Sequence, residues 1–262
     1  MNWTSLILQC ERTHQPSRQA KWLNAVLAAV LVLVAGWLAV EGISGGLRWE
    51  SVAPYWPLFW KGWLLSLGLS VGALVLSVLI GLTAALAQRS RVIVLRYLAR
   101  IYVELVRGTP LLVQILIWWY VVFASMQNGF RVGIGMLALA FFSGAYLSEI
   151  FRAGIEGIGK SQRESARAIG LTTTQTYRYV IFPQALRQVL PPLAGQFASL
   201  IKDSSLLSII GITEMTQTAQ NVNAITYSSL EAFLPLAAGY LILTLPISLW
   251  TRSLEGKVRY ET

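Results

Sequence analysis

The chain has 262 residues, 55% of them hydrophobic and 13% charged, with a mean hydropathy of +0.57 and a formal net charge of +9 at pH 7. A soluble domain of this length carries about twice that charged fraction, and here the charges gather in clusters between long apolar windows, so lipid is the expected solvent. One cysteine, Cys10, and one histidine exclude an intrachain disulfide and Cys–His metal clusters.

A polar stretch from Glu11 to Lys21 precedes the first apolar span, about Trp22 to Val40. No small-residue cleavage site follows it closely, so the span reads as a retained helix and not a signal peptide. A Gly- and Trp-rich loop then runs through Trp60. The second span, Gly62 to Gln88, contains Ser66, Gly68, Ser70, Gly72, Ser77 and Gly81. Small residues at three- and four-residue spacing let helix backbones approach, so this face is expected to pack on a neighbouring helix.

From Arg89 to Arg107 arginines recur on one helical face with apolar residues on the rest, the pattern of a helix lying along a membrane interface. Arg107-Gly108-Thr109-Pro110 then interrupts it, since Gly breaks a helix and Pro suits the start of a new one. In a membrane such a break is tolerated only where protein or a cavity covers it, and a half-helix start attracts carboxylates. A simple cytoplasmic turn is the alternative reading. The third span follows, between Arg107 and Arg131, and a fourth from about Gly133 to Phe151, closed by the expected ion pair Glu149–Arg152.

The polar loop from Glu156 to Phe182 divides into a helical piece at 161–169, a break at Gly170 and a second piece at about 173–182. Ser161 and Thr172 to Thr174 are expected N-caps, with Glu164 completing a capping box on Ser161. The pair has the shape of a docking element, although charge on a loop also serves plain solvation. Residues 154–161 spell GIEGIGKS, a literal match to the phosphate-loop pattern. The match is rejected, because a phosphate loop follows a buried strand in an α/β domain and this stretch emerges from a membrane helix. The only aspartate, Asp203, also stands in a membrane span and not at a strand end where it could help hold magnesium.

A further span, about Gln188 to Ile212, carries Pro191, Pro192, Lys202 and Asp203 and is the least lipid-like; the last runs between Glu231 and Arg252. An ionisable group inside a span marks a substrate or ion pathway by default, which singles out Asp203; an anchor at the outer interface with Lys202 is the alternative. Gln196, seven residues earlier, lies on the same helix face. With Met1 inside, six spans leave only Arg48, Lys61 and Arg131 outside, and all other Lys and Arg clusters fall in cytoplasmic segments. Topology therefore accounts for the net positive charge without nucleic-acid binding.

Glu164-Ser165-Ala166, then Gly170, then Val180-Ile181-Phe182-Pro183 resembles the EAA loop of ABC importer permeases, with Ser165 replacing Ala, Val180 replacing Ile and Phe182 replacing Leu. Tyr102 to Gln114 (YVELVRGTPLLVQ), Ala145 to Ile155 (AYLSEIFRAGI) and Lys202 to Gly211 (KDSSLLSIIG) are similar to the polar amino acid branch of that family. The resemblance covers about 61–254. It implies an all-α membrane protein of six transmembrane helices: a type I importer core of five plus one N-terminal helix. The parts would be an N-terminal region at 1–60, the permease domain at 61–254 with its coupling loop at 156–183, and a cytoplasmic tail at 255–262.

Implied partners are a second identical or homologous permease, two ATP-binding-cassette ATPase subunits and a periplasmic or lipid-anchored amino-acid-binding protein. The chain itself would need no cofactor, ATP and magnesium being held by the ATPase, and no metal. The resemblance carries substrate binding onto Thr109, Leu112, Gln196 and Asp203, and coupling onto Glu164, Ser165, Ala166 and Gly170. A self-sufficient transporter or channel would need inverted repeats or several intramembrane charges, which the sequence does not display. A membrane enzyme would need a nucleophile–base pair or metal cluster that one Cys, one His and one Asp cannot supply.

Overall fold

The computed structural model describes residues 17–44, 47–122 and 130–259, and every regular element among them is helical. The N-terminal stretch holding Cys10 and Arg12, residues 123–129 of the expected third span, and the last three residues of the tail lie outside the described residues. The chain divides into two units, Met1–Trp49 and Glu50–Thr262. The first contains helix α1, Arg18–Ser44.

The second unit is a bundle. Helix α2, Trp56–Gln88, shares its most extensive face with α5, Arg131–Glu156. Gly62, Ser66, Ser70, Ala73, Ser77 and Gly81 recur at three or four residues along α2 and are all buried. The hydroxyls of Ser70 and Ser77 bond back to the carbonyls of Ser66 and Ala73, so the stripe presents little polarity to its neighbour. The stripe comes closest to neighbouring backbone at Gly81, where a Cβ would stand 2.9 Å from the Gly144 carbonyl oxygen and 3.1 Å from the Ser148 nitrogen. Both are backbone atoms that cannot step aside. Gly68 is the exception to the expected stripe, with nothing within 4 Å of a Cβ. Gly81→Leu is therefore expected to lower stability in detergent by roughly 2 kcal/mol or more through overpacking. Gly68→Ala is expected to be neutral or stabilising by up to about 1 kcal/mol. Thermal unfolding of the two variants side by side checks the contrast.

Helix α3, Ile93–Gly108, and helix α4, Leu111–Ile117, which continues as a π-helical turn over Trp118–Val122, form a bent pair with an angle of 111° between them. The apolar face of α4 enters the main core, where Leu111 and Ile115 meet Leu69 of α2, Leu139 of α5, and Leu200 and Leu207 beyond. Two short helices follow α5: α6, Lys160–Ala168, and α7, Thr173–Thr176, the latter running on as a π-turn over Tyr177–Ile181. Helix α8, Phe182–Asp203, passes into a 3-10 turn over Ser204–Ile210 closed by Gly211 at φ 72°. Helices α9, Met215–Thr226, and α10, Ser229–Arg259, complete the chain.

Among the described residues four helical stretches are long and apolar enough to cross a membrane, five when the bent α3–α4 pair counts as one. The expected span at 188–212 is the remainder of the six. Helix α8 reaches the length, but Gln184, Arg187, Gln188, Gln196 and Lys202 interrupt its hydrophobic run, and it ends at Asp203. Asp203 thus stands at a helix end, where the chain tightens into a 3-10 turn, and not in mid-helix.

Candidate functional site

Two places combine polarity with an arrangement that could do work: the short helix pair α6–α7, and the break between α3 and α4.

In the helix pair, Gly170 at φ 84° closes α6. The Leu171 N–H donates to the Ala166 carbonyl and the Gly170 N–H to the Arg167 carbonyl, the two bonds of a Schellman turn, which needs a left-handed residue at the glycine position. Helix α7 starts on a complete capping box, the Thr172 hydroxyl accepting from the Gln175 N–H while the Gln175 side chain accepts from the Thr172 N–H. The expected cap at Ser161 is corrected. Helix α6 begins one residue earlier, at Lys160, its N-cap is Gly159 in extended conformation, and no side chain caps it. Gly159 ends the preceding turn and so leaves Ser161 already inside the helix. Glu164, Ser165 and Gly170 are exposed, while Ala166 is buried. The pair is held to the bundle by Ile155, Ile158, Ile181 and Ala185, and by Arg163, which donates to the Ile155 carbonyl. Its outward side includes Ile169, Tyr179 and Phe182, each more than 60% exposed. Beside them lies a groove of about 490 Å³ lined by Thr173, Thr174, Tyr177, Arg178 and Phe182. An exposed apolar and aromatic surface on a polar, well-capped helix pair suits protein docking.

The phosphate-loop string at 154–161 has a packing explanation. Gly154 belongs to the last turn of α5, and a Cβ there would collide with Val189 of α8. A Cβ at Gly157 would stand 2.8 Å from Gln188 Oε1, and Gly159 supplies the N-cap of α6. Two helices and a turn occupy the positions where a phosphate loop requires a strand and a loop.

Charges of alternating sign run along the adjoining C-terminal ends of three helices, α2, α5 and α3. Arg89 pairs with Glu156 at 3.9 Å, Glu156 with Arg152 at 2.5 Å, Arg152 with Glu149 at 2.6 Å, and Glu149 with Arg107 at 3.8 Å. The expected Glu149–Arg152 pair is thus part of a chain reaching from the end of α5, just before α6, to the residue two before Thr109. Arg107 also stacks 5.4 Å over the Tyr146 ring.

At the break, Thr109 and Pro110 are extended (ψ 145° and 138°) between the two helices. The Thr109 hydroxyl donates to the Leu105 carbonyl at 2.8 Å and accepts from Gln114 Nε2 at 2.8 Å. Thr109 and Gln114 help line a cavity of about 200 Å³ walled by Ile117, Trp118 and Phe141. None of Leu112, Gln196 and Asp203 lines it. Leu112 is half-buried on α4, and Gln196 donates to the Ser143 hydroxyl of α5 at 3.3 Å. Within one chain the four candidate substrate residues therefore do not converge on that cavity.

Sequence reasoning assigned no role to Gln114 or Glu214. Glu214 is fully buried in the connection before α9, outside the spanning helices. Its Oε2 accepts from the Ser66 hydroxyl, the Tyr240 hydroxyl and the Thr216 N–H, and its Oε1 from the Gln217 N–H, at 2.9–3.2 Å. Burial pushes its carboxyl up from the ordinary carboxylate value against those four bonds. An acid three residues before Gln217 at a helix start was the available signal.

The sequence from residue 77 to 260 matches the family described as binding-protein-dependent transport system inner membrane component. The chain is 36% identical over 214 residues to the glutamine transport system permease protein GlnP of Escherichia coli K12, covering 80% of this chain and 97% of that one. It is 35% identical over 218 residues to the L-cystine transport system permease protein TcyB of Bacillus subtilis 168, covering 82% and 93%. Among solved structures, an amino acid ABC transporter crystallised with histidines superposes with a TM-score of 0.75 at 36% identity, covering 81% of this chain and 99% of that one.

Proposed function

The chain belongs to the family of binding-protein-dependent transport inner membrane components, and from that premise we propose that its cargo is glutamine, glutamate or aspartate, or a basic amino acid. It is a multi-pass permease subunit of an ATP-driven polar amino acid importer. ATPase subunits and a substrate-binding protein are its partners, and the ATPase activity resides in a separate subunit. The observation that carries the cargo class is the 36% identity to a glutamine permease along nearly the whole of that relative.

In our reading two ATPase subunits grip the helix pair α6–α7 of this permease and of a second, identical or homologous one. ATP and magnesium stay with the ATPase. A periplasmic or lipid-anchored binding protein delivers the amino acid from the other side, and both termini of a six-span chain face the cytoplasm. Glu164, Ser165 and Ala166 present α6 to the ATPase, and Gly170 sets its angle to α7. Substrate passes Thr109 and Leu112 at the break and Gln196 and Asp203 on α8. Because Leu112, Gln196 and Asp203 do not line the cavity at Thr109, the second permease would complete the path.

A thermal-shift screen of the twenty amino acids on the purified binding protein of the same operon, followed by uptake into vesicles holding the reconstituted complex, tests this. Stabilisation by a polar amino acid and its ATP-dependent uptake are expected. Transport by the purified chain alone would instead favour a self-sufficient transporter.

A further inference from the structure

Pro110 creates a specific deficit. In a continuous helix the N–H of residue 110 would donate to the carbonyl of Val106, four residues earlier, and proline has no N–H to give. The carbonyl is not left orphaned, because Gln114 Nε2 donates to the Val106 oxygen at 2.7 Å. The same nitrogen lies 2.8 Å from the Thr109 hydroxyl and 3.2 Å from the Thr109 carbonyl oxygen. One carboxamide thus substitutes for the missing peptide donor on α3 and, with its second hydrogen, holds the extended residue that follows. Gln114 is itself anchored on α4, whose Leu111 and Ile115 are packed in the core, and only 8% of it is exposed. The side chain therefore ties the end of α3 to the first turn of α4 across the bend.

Two consequences follow. The Thr109 hydroxyl is committed at both its donor and acceptor sides, so its presentation to the neighbouring cavity is set by Gln114. The direction in which α3 leaves the bend is set by the same bonds, and α3 carries Arg107 into the ion-pair chain that reaches Glu156, four residues before the helix pair begins at Lys160. We propose that Gln114 is a positioning residue for transport, a latch that fixes the α3–α4 bend and thereby holds the cavity wall at Thr109 in register with the ion-pair chain. This rests on the chain acting as an ATP-coupled permease.

The test uses the assembled complex with Cys10→Ser as background and spin labels at Tyr97→Cys and Val121→Cys, on exposed positions of the two arms. Labelled permease is diluted with unlabelled chain. Gln114→Glu keeps the size but removes both donors, and Gln114→Met keeps the volume without charge. Both variants are expected to broaden or shift the label-to-label distance distribution. Both are expected to lower the maximal uptake rate by about tenfold or more, the scale set by a buried carbonyl that loses its donor. The substrate concentration at half-maximal rate should change far less, and the assembled complex should elute as the wild type does. An unchanged distance distribution overturns the latch, and a changed distribution with wild-type maximal uptake overturns its role in transport. A Met variant that cannot assemble also overturns the proposal, since Gln114 would then be a residue of folding. The distance measurement needs no substrate, so it stands apart from any failure to identify the cargo.

Discussion

A Gly170→Val permease is expected to assemble with its ATPase and yet lose about tenfold or more of its uptake, because a β-branched residue held at φ > 0 costs about 1–3 kcal/mol and each 1.4 kcal/mol is a factor of ten. The cause is purely conformational. A Cβ at Gly170 meets nothing within 4 Å, so steric collision with the rest of the chain plays no part. The φ of 84° is what a valine resists, and relaxing it breaks the two Schellman bonds that fix α6 against α7. Asparagine, which visits the left-handed region more readily, should retain most of the activity, and alanine should fall between asparagine and valine. Uptake and binding-protein-stimulated ATP hydrolysis in proteoliposomes give the order directly. A valine variant that couples hydrolysis to uptake as the wild type does would remove Gly170 from the coupling mechanism we propose.

The helix pair and the bend were legible in the sequence because their determinants are local. A glycine at a C′ position, a threonine with Gln three residues on, and Gly-Thr-Pro between an amphipathic and an apolar run each act within one or two turns of chain. The errors are also local in kind. The serine of Lys160-Ser161 competes as an N-cap with the glycine before it, and in the structure the glycine takes the extended conformation. The small-residue stripe on α2 could be read by periodicity, but not that Gly81 comes closest to neighbouring backbone and Gly68 faces nothing, since that depends on the rotation of α2 against α5. Thr109 shows the limit most clearly. The resemblance carried substrate binding onto it, and the structure has its hydroxyl bonded on both sides, to Leu105 within its own turn and to Gln114 across the bend. For Glu214 only the local cap could have been read, because its other side-chain partners, Ser66 and Tyr240, lie 148 and 26 residues away.

Glu214 carries the second large effect. The Glu214 carboxylate takes two N–H groups of the first turn of α9 and fastens the helix to α2 through Ser66 and to α10 through Tyr240. The Ser66 hydroxyl in turn accepts from the Met215 N–H at 3.1 Å, and the Thr216 hydroxyl lies 2.9 Å from the Tyr240 oxygen, so the first turn of α9 and both helices share one network. Glu214→Ala removes an N-cap, worth about 1 kcal/mol, and leaves buried donors without an acceptor at about 1–3 kcal/mol each. A loss of about 3 kcal/mol or more is expected, lowering the unfolding midpoint of the detergent-solubilised complex by on the order of 10 °C. Glutamine is the informative comparison. Its carbonyl can still take the Gln217 N–H, and the Ser66 and Tyr240 hydroxyls can rotate to accept from its amide, but the Thr216 N–H cannot, so one buried clash between donors remains. Glu214→Gln should therefore sit between wild type and alanine, and nearer wild type, because burial already opposes the charged form of this carboxyl. If alanine and glutamine prove equally mild, the network contributes little to holding α9, and the packing of Val222 and Ala219 against Phe59 and Ala232 would have to hold it instead.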